Sequence, residues 1–335
     1  MSVGTSERDR EGWQREHRVV ALGGGHGLAA SLAALRLLTR HVTGVVTVAD
    51  DGGSSGRLRR ELGALPPGDL RMALVALAGE DAASRRWATL LQHRFGGTGA
   101  LAGHPVGNLL LTGLAETLAD PVAALDEVAR VVGAVGRVLP MSAAPLEIAA
   151  DVAGLDEDPS RLHHIRGQVA VATTPGRVMS VSLVPPSPPA CAQAVSAVAS
   201  ADAVVLGPGS WFTSVIPHVL VPDLLSALVD TAARRIVTLN LAPQPGETDG
   251  FSPEQHLDVL CEHAPGMRVD AVVADVDAVS DPDGLRAAVV RLGGRLVLAR
   301  VAAGDGTPRH DPARLAAALA EVMYATDTGE VHGWR

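Results

Sequence analysis

The sequence predicts an α/β fold: a doubly wound, Rossmann-like, mainly parallel sheet that carries a small β-rich insert. Three observations lead to it. Short β-branched runs alternate with helical patterns along most of the 335 residues, the rhythm that builds βαβ units. Two of those runs end in glycine-rich loops that open straight into helices, as in sheets that take ligands at their carboxyl edge. Hydrophobic residues make up 47% of the chain and charged residues 19%, enough apolar side chains to cover both faces of such a sheet.

The first strand is expected over Arg18–Leu22, followed by Gly23-Gly24-Gly25-His26-Gly27. Leu28, Leu32, Leu35 and Leu38 then repeat at helical spacing. A second strand, Gly44–Val48, ends at Asp50-Asp51 and opens into Gly52-Gly53-Ser54-Ser55-Gly56-Arg57. Strand, glycine loop, helix and strand make one parallel unit. Residues 69–132 read as several helices, broken at Gly96-Gly97 and at Gly103-His104-Pro105.

Between about 138 and 186 the helical period fades. Short β-like pieces replace it, at Leu146–Val152, Gln168–Ala172 and Val178–Leu183. The prolines of 185–189 either link domains or stiffen a loop ahead of a helix. Beyond them strands are expected at Ala203–Leu206, Ile236–Asn240, Ala271–Ala274 and Leu296–Ala299, with a last helix over Pro312–Tyr324. The expected organisation is a disordered leader over 1–17, one domain over 18–326 with its insert near 138–186, and a tail over 327–335.

Composition removes whole classes of function. The net charge is −9, which argues against a general nucleic-acid binder. All 28 basic residues are Arg, so no Walker-A, Schiff-base or kinase lysine exists. Eight aromatic residues are too few for a base-stacking platform. Cys191 and Cys261 form no metal or disulfide pattern. The N-terminus lacks a signal-peptide core and the apolar runs are too short to span a bilayer. A soluble cytoplasmic protein without nucleic-acid or membrane partners is the expectation.

Several clusters can carry chemistry. Glycines between a strand and a helix let backbone N–H groups face an anion at the positive helix end, so Gly24, Gly25, His26 and Gly27 are candidate phosphate contacts, with a plain tight turn as the alternative. The spacing misses the dinucleotide fingerprint, because the last glycine falls on Leu28 or Ala30. Asp50 and Asp51 suit a ribose diol or a hard divalent cation. Ser54, Ser55 and Arg57 add hydroxyls and a planar cationic fork. Asp69 is a natural helix N-cap. Arg71, a cation in a first helical turn, is badly placed for the dipole and asks for a phosphate or an acidic neighbour.

His104 can act as acid or base, as a phosphate donor or as a cap, and Asn108 needs a partner once buried in its apolar helix. Gly207, Gly209, Ser210 and Thr213 form a second strand–loop–helix anion site, together with Ser214. Asn240 ends the next strand, and Thr248 and Asp249 lie in an acidic turn. Phe251 follows, suited to stacking on a base or to core packing. Arg309 either closes over a phosphate or sits solvated on the surface.

Taken together, Gly-Gly-Gly-His-Gly, Val-Ala-Asp-Asp-Gly-Gly-Ser-Ser-Gly-Arg, Pro-Pro-Gly-Asp-Leu-Arg, Gln92-His93-Arg94-Phe95, Gly-His-Pro-Val-Gly-Asn, Gly-Pro-Gly-Ser-Trp-Phe-Thr-Ser and Gly-Glu-Thr-Asp-Gly resemble the gluconeogenesis factor family. That family binds UDP-N-acetylglucosamine and belongs to the CofD-like phospholactate transferase superfamily. The resemblance runs from Arg18 to Tyr324. It implies a cytosolic regulatory protein that ties carbon use to peptidoglycan precursor supply and cell shape, without an established reaction. It also implies that Gly24, Gly25 and Gly27 line the nucleotide site with Asp50, Asp51, Ser54 and Ser55 beside them. Asn108, Gly209 and Ser210 would face the phosphates or the sugar.

Two positions depart from the family pattern. His26 stands where Thr is frequent, and Phe251 where Tyr is common, which keeps the ring without its hydroxyl. No cofactor is implied as required; Mg²⁺ on Asp50 and Asp51 is the option if a metal is used. A protein partner in amino-sugar or cell-wall metabolism and a homo-oligomer are the further implied partners. The alternative is the transferase branch, which moves a phospholactate-type group from a GDP-activated donor to a deazaflavin with Mg²⁺. That branch carries Asn-Thr-Gly-Asp-Asp where this chain reads Val48-Ala49-Asp50-Asp51. An NAD-dependent dehydrogenase rests on the first βαβ unit alone.

Overall fold

The structure, a computed structural model, describes residues 17–158, 161–244 and 246–324. The expected leader, His17 apart, and the expected tail lie outside the described residues. The strands in chain order are β1 (Arg18–Gly23), β2 (His41–Val46), β3 (Arg137–Pro140), β4 (Glu147–Ala153) and β5 (Leu162–Arg166). They continue as β6 (Arg177–Val184), β7 (Ala203–Leu206), β8 (Arg234–Thr238), β9 (Ala271–Asp275) and β10 (Arg295–Ala299). Seven of them form one sheet in the order β10-β9-β8-β7-β1-β2-β3. Every pairing in it is parallel.

Parallel strands need helical crossovers, which cover both faces and leave the strands as continuous apolar runs. β7 shows the consequence, for all four of its residues are buried. Helix Gly25–Leu35 packs so closely on the sheet that a Cβ at Gly44 would lie 3.1 Å from Leu32. Each Leu or Val buried in this way contributes about 1.5–3 kcal/mol. The chain order reverses beside β1: β2 and β3 lie to one side, β7 to β10 to the other. Such a switch point parts the loops at the carboxyl ends of the two central strands and opens a crevice there.

Local signals set several helix starts. Asp81 and Asp120 each accept two backbone N–H groups at their helix N-caps, and Ser252 with Gln255 closes a capping box. The last helix spans Pro312–Tyr324, as the pattern predicts.

The insert departs from expectation in two places. Gln168–Ala172 is a short helix, although its β-branched content suggests a strand. Leu162–Arg166 is instead the third strand of an antiparallel sheet ordered β5-β4-β6, its two histidines and terminal arginine masking the alternation. That sheet lies within 147–184, because Arg137–Pro140 pairs with β2 in the main sheet. Among the described residues no single helix is long and apolar enough to cross a membrane.

Candidate functional site

The two glycine loops meet. β1 delivers Gly24 in extended conformation to the start of helix Gly25–Leu35. A Cβ at Gly27 would lie 2.2 Å from the Pro208 carbonyl and 2.6 Å from Gly209 Cα, so only glycine permits this approach. Ser31, buried on the same helix, donates to the Gly207 carbonyl at 2.8 Å. Asn240, two residues beyond β8, clamps Gly209 from both sides: its Oδ1 accepts the Gly209 N–H at 2.8 Å and its Nδ2 donates to the Gly209 carbonyl at 2.9 Å.

Between the loops lies a cavity of about 280 Å³. Of the residues singled out from the sequence, Gly24, Gly25, His26, Gly27, Asp50, Asp69, Gly209, Ser210 and Thr213 line it, with Ser214. Thr47, Gln168 and Gln244 also line it, and no motif pointed to them. Thr47 is 3% exposed and its hydroxyl has no hydrogen-bond partner within the protein. A separate apolar groove of about 300 Å³, walled by Leu62, Leu70, Leu111 and Leu125, lies away from both loops.

The two neighbouring aspartates do different work. Asp50 faces the cavity and accepts the Gly52 N–H at 2.9 Å. Asp51 turns to the insert, where its Oδ1 accepts the Val169 N–H at 3.0 Å; it anchors helix Gln168–Ala172 and thereby brings Gln168 to the cavity. Asp51 is thus not among the residues that line the cavity with Asp50. Asp69 is the acid that does face the cavity beside Asp50. It lies inside the first turn of helix Pro67–Ala76, whose N-cap is Pro66, so it is not the cap. Burial, then the Asp50 charge, push its carboxyl up to about 7, against the Gly25 N–H and Arg71.

Other predicted contacts prove to be internal supports. Ser55 accepts the Gly68 N–H at 3.1 Å. Arg57 spends its guanidinium on the carbonyls of Ala102 and Ala100, at 2.8 and 3.3 Å. Arg71, buried, donates to Asn108 Oδ1 at 2.8 Å. Asn108 in turn donates to Ser54 Oγ at 2.9 Å, and Ser54 lies 2.7 Å from His104 Nδ1. Because Ser54 accepts from Asn108, its own hydrogen is free to point at His104 Nδ1. Arg71 thus hydrogen-bonds a neutral amide, with Asp69 as the acidic neighbour expected for it; burial, then Arg94, lower its pKa to about 10 against the pull of Asp69. Burial, then Arg57, lower that of His104.

Gly207 shapes the second loop without reaching the cavity, with φ +75°. Thr248, fully buried, receives the Gln244 N–H at 2.8 Å, and Asp249 receives the Gly246 N–H at 2.8 Å; both hold a turn. Phe251 packs edge-on against Phe212 and His256, with centroids 6.0 and 5.6 Å away. It lines the core's margin, not the cavity, so the base-stacking role expected for it does not follow. Arg309 bonds Asp305 at 2.6 Å in an exposed loop and is not among the residues that line the cavity.

A doubly wound, Rossmann-like α/β protein with one polar cavity at its switch point is the class that these features define. Among known proteins, the family described as 2-phospho-L-lactate transferase CofD matches residues 19–288. A Mycobacterium tuberculosis relative named "Putative gluconeogenesis factor" is 60% identical over 314 residues, 93% of this chain and 91% of its own length. The "Gluconeogenesis factor" of Halalkalibacterium halodurans is 36% identical over 267 residues, 80% of each chain. A crystal structure of a UPF0052-family protein from Bacillus halodurans superposes with a TM-score of 0.80 at 32% identity, covering 91% of this chain and 99% of that one. The chain belongs to the CofD-like family, among its gluconeogenesis factors.

Proposed function

We propose that the protein binds a nucleotide sugar, UDP-N-acetylglucosamine or a close relative, between its two glycine loops. One observation carries the reading most directly: the two glycine loops meet around one switch-point cavity lined by Asp50, Asp69, Ser210, Thr213 and Gln244. Helix Gly25–Leu35 opens on the same cavity with no side-chain cap and no acid in its first turn. Its positive end suits a diphosphate.

Asp50 and Asp69 would repel that diphosphate at neutral pH. Two carboxylates fit a hydrated Mg²⁺, which completes its shell with water and ligand phosphate oxygens. Among the described residues no three acidic, His or Cys side chains gather as a full cation cage, so such an ion would arrive with the ligand. Bound there, it would neutralise the phosphate charge; without it, protonation of Asp69 serves the same end. The biological reading is a cytoplasmic regulatory protein, with a protein partner in amino-sugar or cell-wall metabolism hearing the ligand-bound state. The second reading, a Mg²⁺-dependent phospholactate-type transferase, is favoured by the family match alone.

A thermal-shift panel of UDP-N-acetylglucosamine, UDP-glucose, GDP and NAD, each with and without Mg²⁺, tests the proposal. A ligand at a hundredfold excess over its Kd adds about 2.7 kcal/mol to the native state. The UDP-sugars are expected to raise the melting temperature, and more so with Mg²⁺. Stabilisation by GDP alone, with product from the deazaflavin and its GDP-activated donor, would move the protein to the transferase class.

A further inference from the structure

The second glycine loop already holds an anion of its own. Glu247 is 6% exposed and stands behind the cavity wall, not in it. Its Oε1 accepts the Thr213 N–H at 2.8 Å, and its Oε2 accepts the Ser210 hydroxyl. The Ser210 and Thr213 hydroxyls also bond each other. Burial pushes the carboxyl up, against the hydroxyl of Ser210 and the Thr213 and Phe212 backbone donors that hold the charged form.

Hydrogen-bond direction then decides what this wall can read. An ionised carboxylate only accepts, so the single Ser210 hydrogen is committed inward and a lone pair is left for the cavity. Gln244 gives its carbonyl oxygen to the Trp211 N–H at 3.2 Å, which leaves its amide hydrogens for the cavity. Acceptor and neutral donor side by side suit a hydroxyl or an amide, while the charge behind them repels phosphate. The wall across the cavity is the uncapped start of helix Gly25–Leu35.

We infer that Glu247 is the specificity-determining residue of the cavity: it makes the second glycine loop a reader of neutral hydroxyl- or amide-bearing groups and confines phosphate to the first loop. The sugar half of this inference rests on the nucleotide-sugar reading. The charge half applies to any phosphate-bearing ligand.

Glu247→Gln keeps the shape and the Thr213 contact but removes the charge, and its amide group turns Ser210 into an acceptor whose hydrogen is released to the cavity. Calorimetry with inorganic pyrophosphate at low ionic strength is expected to show at least tenfold tighter binding than the parent. The preference for UDP-N-acetylglucosamine over UDP should fall at least tenfold. A folded Glu247→Gln protein that binds pyrophosphate within twofold of the parent would overturn the role of Glu247, and so would pyrophosphate that binds neither protein. If Glu247→Gln does not fold, Ser210→Ala decides the matter: it should lose sugar preference without gaining pyrophosphate, and an unaltered preference would contradict the inference. Failure of every UDP-sugar to bind, with the pyrophosphate gain intact, would sink the nucleotide-sugar reading and leave the charge filter standing.

Discussion

Gly27→Ala is expected to destabilise the protein by about 1–3 kcal/mol or more and to abolish nucleotide-sugar binding at the same time. The added Cβ would meet the Pro208 carbonyl at 2.2 Å and Gly209 Cα at 2.6 Å, both parts of the backbone. Neither can swing aside as a long side chain would. The loops must part, and the cavity walls part with them. Gly113→Ala is the matched control, because that helical position is exposed and has no atom within 4 Å of the new Cβ. It should gain up to about 1 kcal/mol from helix propensity alone. Denaturant melts of the two variants, read beside ligand calorimetry, check both outcomes.

Asp69→Asn is expected to raise stability above pH 8 by about 2–4 kcal/mol while leaving it nearly unchanged below pH 4. The sign follows from a carboxyl whose pKa rises on folding to about 7. Between its unfolded and folded values the native state holds the extra proton, so its contribution falls as pH rises through that window. Asparagine has nothing to ionise and no charge to set against Asp50. His218 and His310, both lowered to about 4 by burial, act in the opposite sense, with stability lost as pH falls toward 4. They are common to both proteins, so the difference between the two stability curves isolates Asp69. Parallel curves from pH 4 to pH 9 would mean that Asp69 titrates as an ordinary surface acid. An acid kept at such a cost in the cavity wall is what a binding site retains and a purely structural loop would not.

Much of the fold was legible because its signals are local. β7 and the last helix have their expected limits, since one is a short apolar run and the other an amphipathic period between a proline and a polar tail. The glycine loops declared themselves by composition, and their meeting follows from parallel topology. The cavity's remaining lining was not legible. Thr47, Gln168 and Gln244 are single polar residues on a strand end, an insert helix and a loop, brought together only by tertiary approach. Gln168 is there because Asp51 anchors its helix, a contact across 118 positions of sequence.

The same limit explains the wrong assignments. A guanidinium or a carboxylate in a motif has a chemistry but no address. Arg57 could serve a phosphate or a backbone carbonyl equally well, and it serves carbonyls. Phe251 offers a ring that the core's edge uses before any base can. Glu247 was hidden in plain composition: one acid in a turn, with nothing local to show that it reaches a helix start 34 residues earlier.

A nucleotide sugar proposed to sit between the two glycine loops would be visible at atomic detail. A crystal structure of the protein grown with saturating UDP-N-acetylglucosamine and Mg²⁺ measures this directly. The diphosphate is expected at the start of helix Gly25–Leu35 beside His26 and Gly27, with the sugar against Ser210 and Gln244. A cavity without ligand under those conditions, or the ligand seated instead in the apolar groove along Leu62, Leu70 and Leu111, would contradict the proposal.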